Sequence, residues 1–142
     1  MQKFNIHSHT VRCGHAVGTD EEYLQEAIQA GIKVLGFSEH CCYPVHDEPP
    51  YRMLVKDYED YIASVNELKE KYKDRITILL GFECEYYPEW NGWYEELLTR
   101  GDYLILGQHQ YSMRSEDYYY GATDEEILAY GNRVAEGLKT GY

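Results

Sequence analysis

Along the chain, apolar positions alternate between two periods. Four short runs rich in aliphatic and β-branched residues, KFNIH, IKVLGFSEH, RITILLGFECEYY and DYLILGQHQY, each predict a strand. After each of them the spacing shifts to that of a helix. In TDEEYLQEAIQAG, Leu24, Ala27 and Ile28 share a face, Thr19 stands at the N-cap, acids fill the first turn and Gly31 supplies the stop. In VKDYEDYIASVNELKEKYKD, Tyr58, Tyr61, Ile62, Val65 and Leu68 recur at helical spacing. NGWYEELLTRG predicts a short helix and TDEEILAYGNRVAEGLKTG a final one, with Thr123 as its N-cap. The Pro-containing loop CCYPVHDEPPYRM separates the second strand from its helix. Strands alternating with helices of these lengths imply βα units around a parallel sheet, open or closed into a barrel. The fold class is therefore α/β, and 142 residues without a linker predict one domain.

The polar residues fall at one edge of that sheet. His7 and His9 end the first strand, Glu39 and His40 the second, Glu83 and Glu85 the third, and His109 follows the fourth. Parallel α/β folds place ligands and chemistry at this carboxyl edge. Strand alternation aims His7 and His9 together, away from Ile6 and Ser8. It likewise pairs Glu83 with Glu85 and turns Phe82 and Cys84 to the other face, which leaves Cys84 out of the candidate set. His15 lies in the Gly-containing loop CGHAVGT, which is expected to fold back toward the same edge. His46, in the Pro-containing loop, reads as surface. Imidazole and carboxylate together suit zinc, manganese or iron, whereas calcium asks for oxygen donors. A carboxylate on a central strand can bridge two such ions at ~3.5–4 Å.

Charge narrows the choice of ligand. Thirteen Lys and Arg against 25 Asp and Glu leave a formal net charge of −12, which repels phosphodiester backbones and argues against a nucleic-acid partner. A phosphate-bearing ligand would need a local positive source, and bound cations supply one. Arg12, Arg52 and Arg114 flank the polar clusters and are candidate phosphate contacts. No run approaches ~18 consecutive apolar residues, and the N-terminus lacks a signal-peptide core, so a soluble cytoplasmic protein with no membrane partner is expected. Cys13, Cys41, Cys42 and Cys84 form no C-x-x-C and read as reduced thiols. The tyrosines, Tyr118 to Tyr120 among them, receive no role from sequence.

In order, HSHTVRCGHA, GFSEHCCYP, GFECEYYPE and DYLILGQHQY resemble the four leading motifs of the polymerase and histidinol phosphatase (PHP) superfamily of metal-dependent phosphoesterases. The spacing of YRM, ELKEKYKDRITILLGFECEYYPE and DYLILGQHQY is most similar to its histidinol-phosphatase branch. The resemblance implies the N-terminal part of a distorted (β/α)7 TIM-like barrel, about four βα units, with up to three divalent ions at the carboxyl ends of the strands. Carried over, His7, His9 and Glu83 would hold the first ion, bridging Glu83 and His109 the second, and His15 with His40 the third. Glu39 and Glu85 would stand behind the ligands, Glu39 orienting an imidazole. The family continues to a further histidine strand and a final Asp-x-His, whereas this chain stops at LKTGY, so the PHP-type domain is expected to be incomplete. Its open sheet edge would then be covered by another chain, a second copy included. The implied activity is hydrolysis of a small phosphate monoester, histidinol phosphate first, by ion-activated water, within histidine biosynthesis. A nucleotide or sugar phosphate substrate, or a non-catalytic metal-binding or assembly module, are the alternatives.

Overall fold

Two of the four predicted helices, the first and the last, form where their caps dictate. The computed structural model describes residues 2–14, 16–45, 51–110 and 122–142. Its elements are β1 (Phe4–Asn5), α1 (Asp20–Gln29), β2 (Val34–His40), α2 (Tyr58–Tyr72), β3 (Thr77–Cys84), α3 (Asn91–Arg100), β4 (Tyr103–Leu106) and α4 (Asp124–Thr140). Thr19 and Thr123 each close a capping box, with Glu22 and Glu126 as reciprocal partners, and so satisfy donors that a helix start leaves open. Past the end of α1, Gly31 takes a φ of 77°, the left-handed turn that a side chain would disfavour.

The four strands are all parallel and lie in the order β1-β2-β3-β4. This is an α/β sheet built from successive βα units. The outer strands are shorter than the sequence predicts, because side-chain bonds and isolated backbone bonds replace the regular ladder there. Beyond Asn5, Ser8 Oγ donates to the Gly36 carbonyl at 2.8 Å, and the Ser38 N–H donates to the Ser8 carbonyl at 2.8 Å. Beyond Leu106, the Gly107 N–H donates to the Cys84 carbonyl at 2.9 Å, and Gln108 Oε1 accepts from the Tyr86 N–H at 2.7 Å. The chain can thereby turn His7, His9 and His109 inward over the sheet edge.

The two faces of the sheet are built differently. Leu35 and Phe37 of β2 and Ile78, Leu80 and Phe82 of β3 bury the face covered by Leu24 of α1 and by Tyr61, Ile62, Val65 and Leu68 of α2. Each such side chain contributes roughly 1.5–3 kcal/mol on burial. Tyr61 also donates to the Gly81 carbonyl at 2.8 Å and accepts from the Glu39 N–H at 3.3 Å, locking α2 to β2 and β3. On the opposite face the side chains shrink to glycine and serine at Gly36, Ser38 and Gly81. The Tyr103 ring of β4 fills that room, reaching across β3 and β2 until its hydroxyl donates to the Ile6 carbonyl at 2.6 Å. Burial pushes the Tyr103 phenol up to about 12. A Cβ at Gly36 or Gly81 would overlap this tyrosine. Among the described residues no helix is long and apolar enough to cross a membrane.

Gly81→Ala is therefore expected to overpack the inner face and lower stability by about 1–3 kcal/mol. Tyr103→Phe, which removes only the hydroxyl, should cost about 0.5–1.5 kcal/mol. Urea midpoints of the two variants against the parent check both values and their order.

Candidate metal centre

Glu83 is the hub. It sits near the end of β3, opposite His40 of β2 and Ile105 of β4 in the parallel register, and points to the inner face above Tyr103. Its carboxylate occupies space that Gly107 leaves open; a Cβ at Gly107 would overlap it. Oε2 of Glu83 lies 3.2 Å from His7 Nε2, 3.3 Å from His9 Nε2 and 3.3 Å from His40 Nδ1. Oε1 lies 3.9 Å from His109 Nε2. The imidazoles follow one another around the acid, with ring centroids 5.2 Å apart for His7 and His9, 4.5 Å for His9 and His40, and 5.2 Å for His40 and His109.

Whether these donors suit a metal can be tested on distances. Glu83 is only 4 % exposed, yet among the described residues its Oε2 accepts no hydrogen bond, although three ring nitrogens surround it. His7 Nε2 and His9 Nε2 are 3.3 Å apart, so these two nitrogens and Glu83 Oε2 form a triangle with edges of 3.2–3.3 Å. Ligand atoms ~2.0–2.1 Å from a tetrahedral zinc ion are spaced about 3.3 Å from one another. The triangle matches one face of such a tetrahedron, and the donor set fits a borderline divalent cation. A second group, His40, Glu83 and His109, also brings three ligand atoms within 4.8 Å of one another and shares Glu83 with the first.

Two buried carboxylates orient the ring. Glu39 faces His9 Nδ1 at 3.4 Å while accepting from the N–H of Thr10 at 2.8 Å, the Thr10 hydroxyl and the N–H of His40 at 3.0 Å. Glu85 faces His109 Nδ1 at 3.3 Å and accepts the His109 N–H at 3.0 Å. An ionised carboxylate only accepts, so each contact puts the proton on Nδ1 and leaves the Nε2 lone pair directed toward Glu83. His9, Cys13 and Glu39 also lie close enough to share an ion. The Glu39 oxygens are already engaged by these donors, however, which makes Glu39 an orienting group.

The electrostatics agree with this division. Burial works to raise the Glu39 carboxyl, but His9, Thr10 and Cys13 outweigh it and hold it below the usual carboxylate range. Burial likewise opposes the ionised Glu85, and His109, Arg52 and Tyr87 hold it low. Through its hydrogen bond, Glu85 raises His109 above its ordinary value.

Of the residues singled out in the sequence, His7, His9, His40, Glu83 and His109 converge, with Glu39 and Glu85 behind them. His40 stands beside Glu83 and His109, where the resemblance paired it with His15. Arg12 is drawn elsewhere: it pairs with Asp20 at 2.9 Å and Asp60 at 2.7 Å and lies 5.6 Å from the Tyr61 ring centroid, tying its loop to α1 and α2. Arg52 pairs with Glu85. Cys84 is buried on the helix-covered face, where it makes no part of the cluster. His15, His46, Arg114 and Tyr118 to Tyr120 lie outside the described residues. Sequence reasoning missed Gly107 and Tyr87. Tyr87 continues the period-two series of Glu83 and Glu85, and its hydroxyl donates to Glu85.

Residues 5–140 match the PHP domain family model. The chain belongs to the PHP family. It is 33% identical to the Deinococcus radiodurans protein named "Probable histidinol-phosphatase", over 96% of this chain and 51% of the relative. Among solved structures, it resembles a candidate histidinol phosphatase from Listeria monocytogenes with a TM-score of 0.74 at 23% identity, covering 96% of this chain and 61% of that one. It also resembles the histidinol phosphate phosphatase of Lactococcus lactis, solved with zinc, L-histidinol and phosphate, at TM-score 0.64 and 20% identity over 87% of this chain and 48% of that one. The two structural likenesses establish the shared fold. The PHP chain spans about half the length, or less, of the curated relatives it matches.

Two outcomes follow for this PHP centre. With its folded pKa raised, His109 adds stability to the metal-free protein that is full below its unfolded value near 6.5 and is lost as pH rises through the folded value. Metal binding needs neutral imidazoles, so zinc stabilisation instead grows with pH. Melting temperatures from pH 6 to 8, as the difference between parent and His109→Ala, should thus fall with pH in EDTA and rise with pH in Zn²⁺. Gly107→Ala should retain a cooperative melt yet weaken Zn²⁺ binding by about tenfold or more, as loss of an outer partner does, read by competition with a chromophoric chelator.

Proposed function

We propose that the chain carries part of the metal centre of a phosphoesterase that hydrolyses a small phosphate monoester, with histidinol phosphate as the substrate. One observation carries the reading: a buried carboxylate oxygen on Glu83 that accepts no hydrogen bond from the described residues and stands among three imidazole nitrogens at 3.2–3.3 Å. The PHP match and the relatives named histidinol-phosphatases support the choice of reaction and substrate. The Lactococcus structure, with its zinc, histidinol and phosphate, supports both the metal and the leaving alcohol. The same reading makes the protein a cytoplasmic enzyme of histidine biosynthesis.

His7, His9 and Glu83 would hold one divalent ion, and His40, Glu83 and His109 another. When bound, such a pair supplies Lewis acidity to the phosphoryl oxygens and lowers the pKa of water at neutral pH. The chain's own residues set the stage for that chemistry. Glu39 and Glu85 hold the rings of His9 and His109 in one tautomer, so no tautomer exchange or ring rotation has to precede binding. Tyr103 closes the floor beneath the centre, and its hydroxyl is occupied by the Ile6 carbonyl, so it offers no competing ligand. Glu83 Oε2, with no hydrogen-bond donor among the described residues, keeps its lone pairs for cations.

The test is release of inorganic phosphate from histidinol phosphate, a nucleoside monophosphate and a sugar phosphate by chain loaded with Mn²⁺ or Zn²⁺. Turnover should be highest with histidinol phosphate, vanish in EDTA and return with metal. Glu83→Gln should lose more than the about 10–100-fold typical of outer-shell partners. Preference for the nucleotide or sugar would reassign the substrate. Tight metal binding without turnover on any ester would favour a metal-binding or assembly module.

A further inference from the structure

We infer that Arg52 is a positioning residue of this centre, fixing His109 through Glu85. The inference rests on the metal reading above and extends it to a residue that touches no candidate ligand atom in the described contacts. Arg52 is 9 % exposed at its side chain and Glu85 1 %, so the ion pair between them is shielded from solvent. Glu85 divides its two oxygens between two tasks. Oε1 takes the His109 N–H at 3.0 Å and faces His109 Nδ1 at 3.3 Å; Oε2 takes Arg52 Nη2 and the Tyr87 hydroxyl. Arg52 therefore holds one end of a carboxylate whose other end holds the imidazole.

The surroundings leave the pair little freedom. The Arg52 guanidinium lies over the Tyr43 ring, 5.3 Å from its centroid. Tyr43 and Tyr94 both donate to the Glu85 carbonyl, at 2.6 and 2.9 Å, pinning the backbone from which the carboxylate projects. The next residue, Met53, donates its N–H to the His40 carbonyl at 3.2 Å, so the segment bearing Arg52 is tied to a second residue of the centre. Arg52 Nη1 is buried and has no hydrogen-bond partner among the described residues. The guanidinium is thus placed by Glu85 and the Tyr43 ring and leaves one of its own donors unsatisfied. Without the guanidinium, Tyr87 alone among the described residues restrains Oε2, the carboxylate can rotate, and His109 Nε2 is no longer held toward Glu83.

Binding of Co²⁺ to the chain, followed by its visible ligand-field bands, tests this without reference to turnover. Arg52→Met keeps an apolar stem against Tyr43 and should weaken Co²⁺ binding by about 10–100-fold and alter the band intensities. Arg52→Lys keeps the charge without the fork and should lose less. In a His109→Ala background both substitutions should have no further effect, because the residue through which they act is gone. An equal loss in that background, or parent-like binding by Arg52→Met, overturns the inference. Should Arg52→Met fail to melt cooperatively, the comparison is made with Arg52→Lys, for which a loss unchanged by His109→Ala is equally fatal. If the parent chain binds no Co²⁺, the metal reading itself falls and the inference with it.

Discussion

A carboxylate oxygen taken out of water without a hydrogen-bond donor is costly, and Glu83 Oε2 is such an atom. The groups nearest to it are ring nitrogens of His7, His9 and His40. As neutral imidazoles with their lone pairs inward they repel it; as imidazolium they would crowd several positive charges into one site. A divalent cation removes the conflict, because it gives the carboxylate and the lone pairs a common partner. Metal binding and the stability of this end of the sheet are accordingly one equilibrium seen from two sides. Strand order serves this point: parallel β2, β3 and β4 deliver His40, Glu83 and His109 from the same edge.

The acids behind the ligands reach them from opposite sides of the sheet. Glu39 alternates with His40 on β2 and so belongs to the face that Tyr61 covers; it meets His9 only because the segment after β1 bends over the strand end. Glu85 follows Glu83 on the inner face and meets His109 directly. They are also stabilised differently. Glu39 is solvated by neutral donors from Thr10 and the His40 backbone, whereas Glu85 is matched by a buried guanidinium. A neutral set of donors preserves an acid's charge at fixed geometry, while an ion pair couples its position to that of a second side chain, here Arg52.

Much of this was legible in the sequence for a physical reason: period-two alternation survives a few residues past the last paired strand residue, to His9 beyond Asn5 and to Glu85 beyond Cys84. That is why Glu83 pairs with Glu85, and His7 with His9, on sequence alone, and why the caps at Thr19 and Thr123 mark their helices. The strand lengths were not legible, since Ser8, Ser38 and Gln108 replace backbone pairing with side-chain bonds that no periodicity encodes. Arg12 and Arg52 looked alike as charges beside motifs. Asp20 and Asp60 claim one and Glu85 the other, and contacts across 48 and 33 residues of sequence leave no local signal. Gly107 reads as an ordinary turn residue until Glu83 is seen to occupy the volume of its missing side chain.

The fate of those arginines bears on how an acidic chain would receive a phosphate. Formal charge is −12, and of the three arginines flanking the motifs the two described ones are both committed to carboxylates. A charge already paired within a few ångströms contributes little field at longer range, where the remaining acids dominate. Among the described residues, then, the positive potential needed at the strand ends has no protein source equal to the task. Cations held by Glu83 and its imidazoles would supply it at the point where the phosphoryl group has to sit, and attraction and chemistry would share one origin. On the proposed reading, an acidic exterior with a cationic centre would further discriminate by size, because a compact monoester would meet the centre while a polyanion would meet the surrounding acids first.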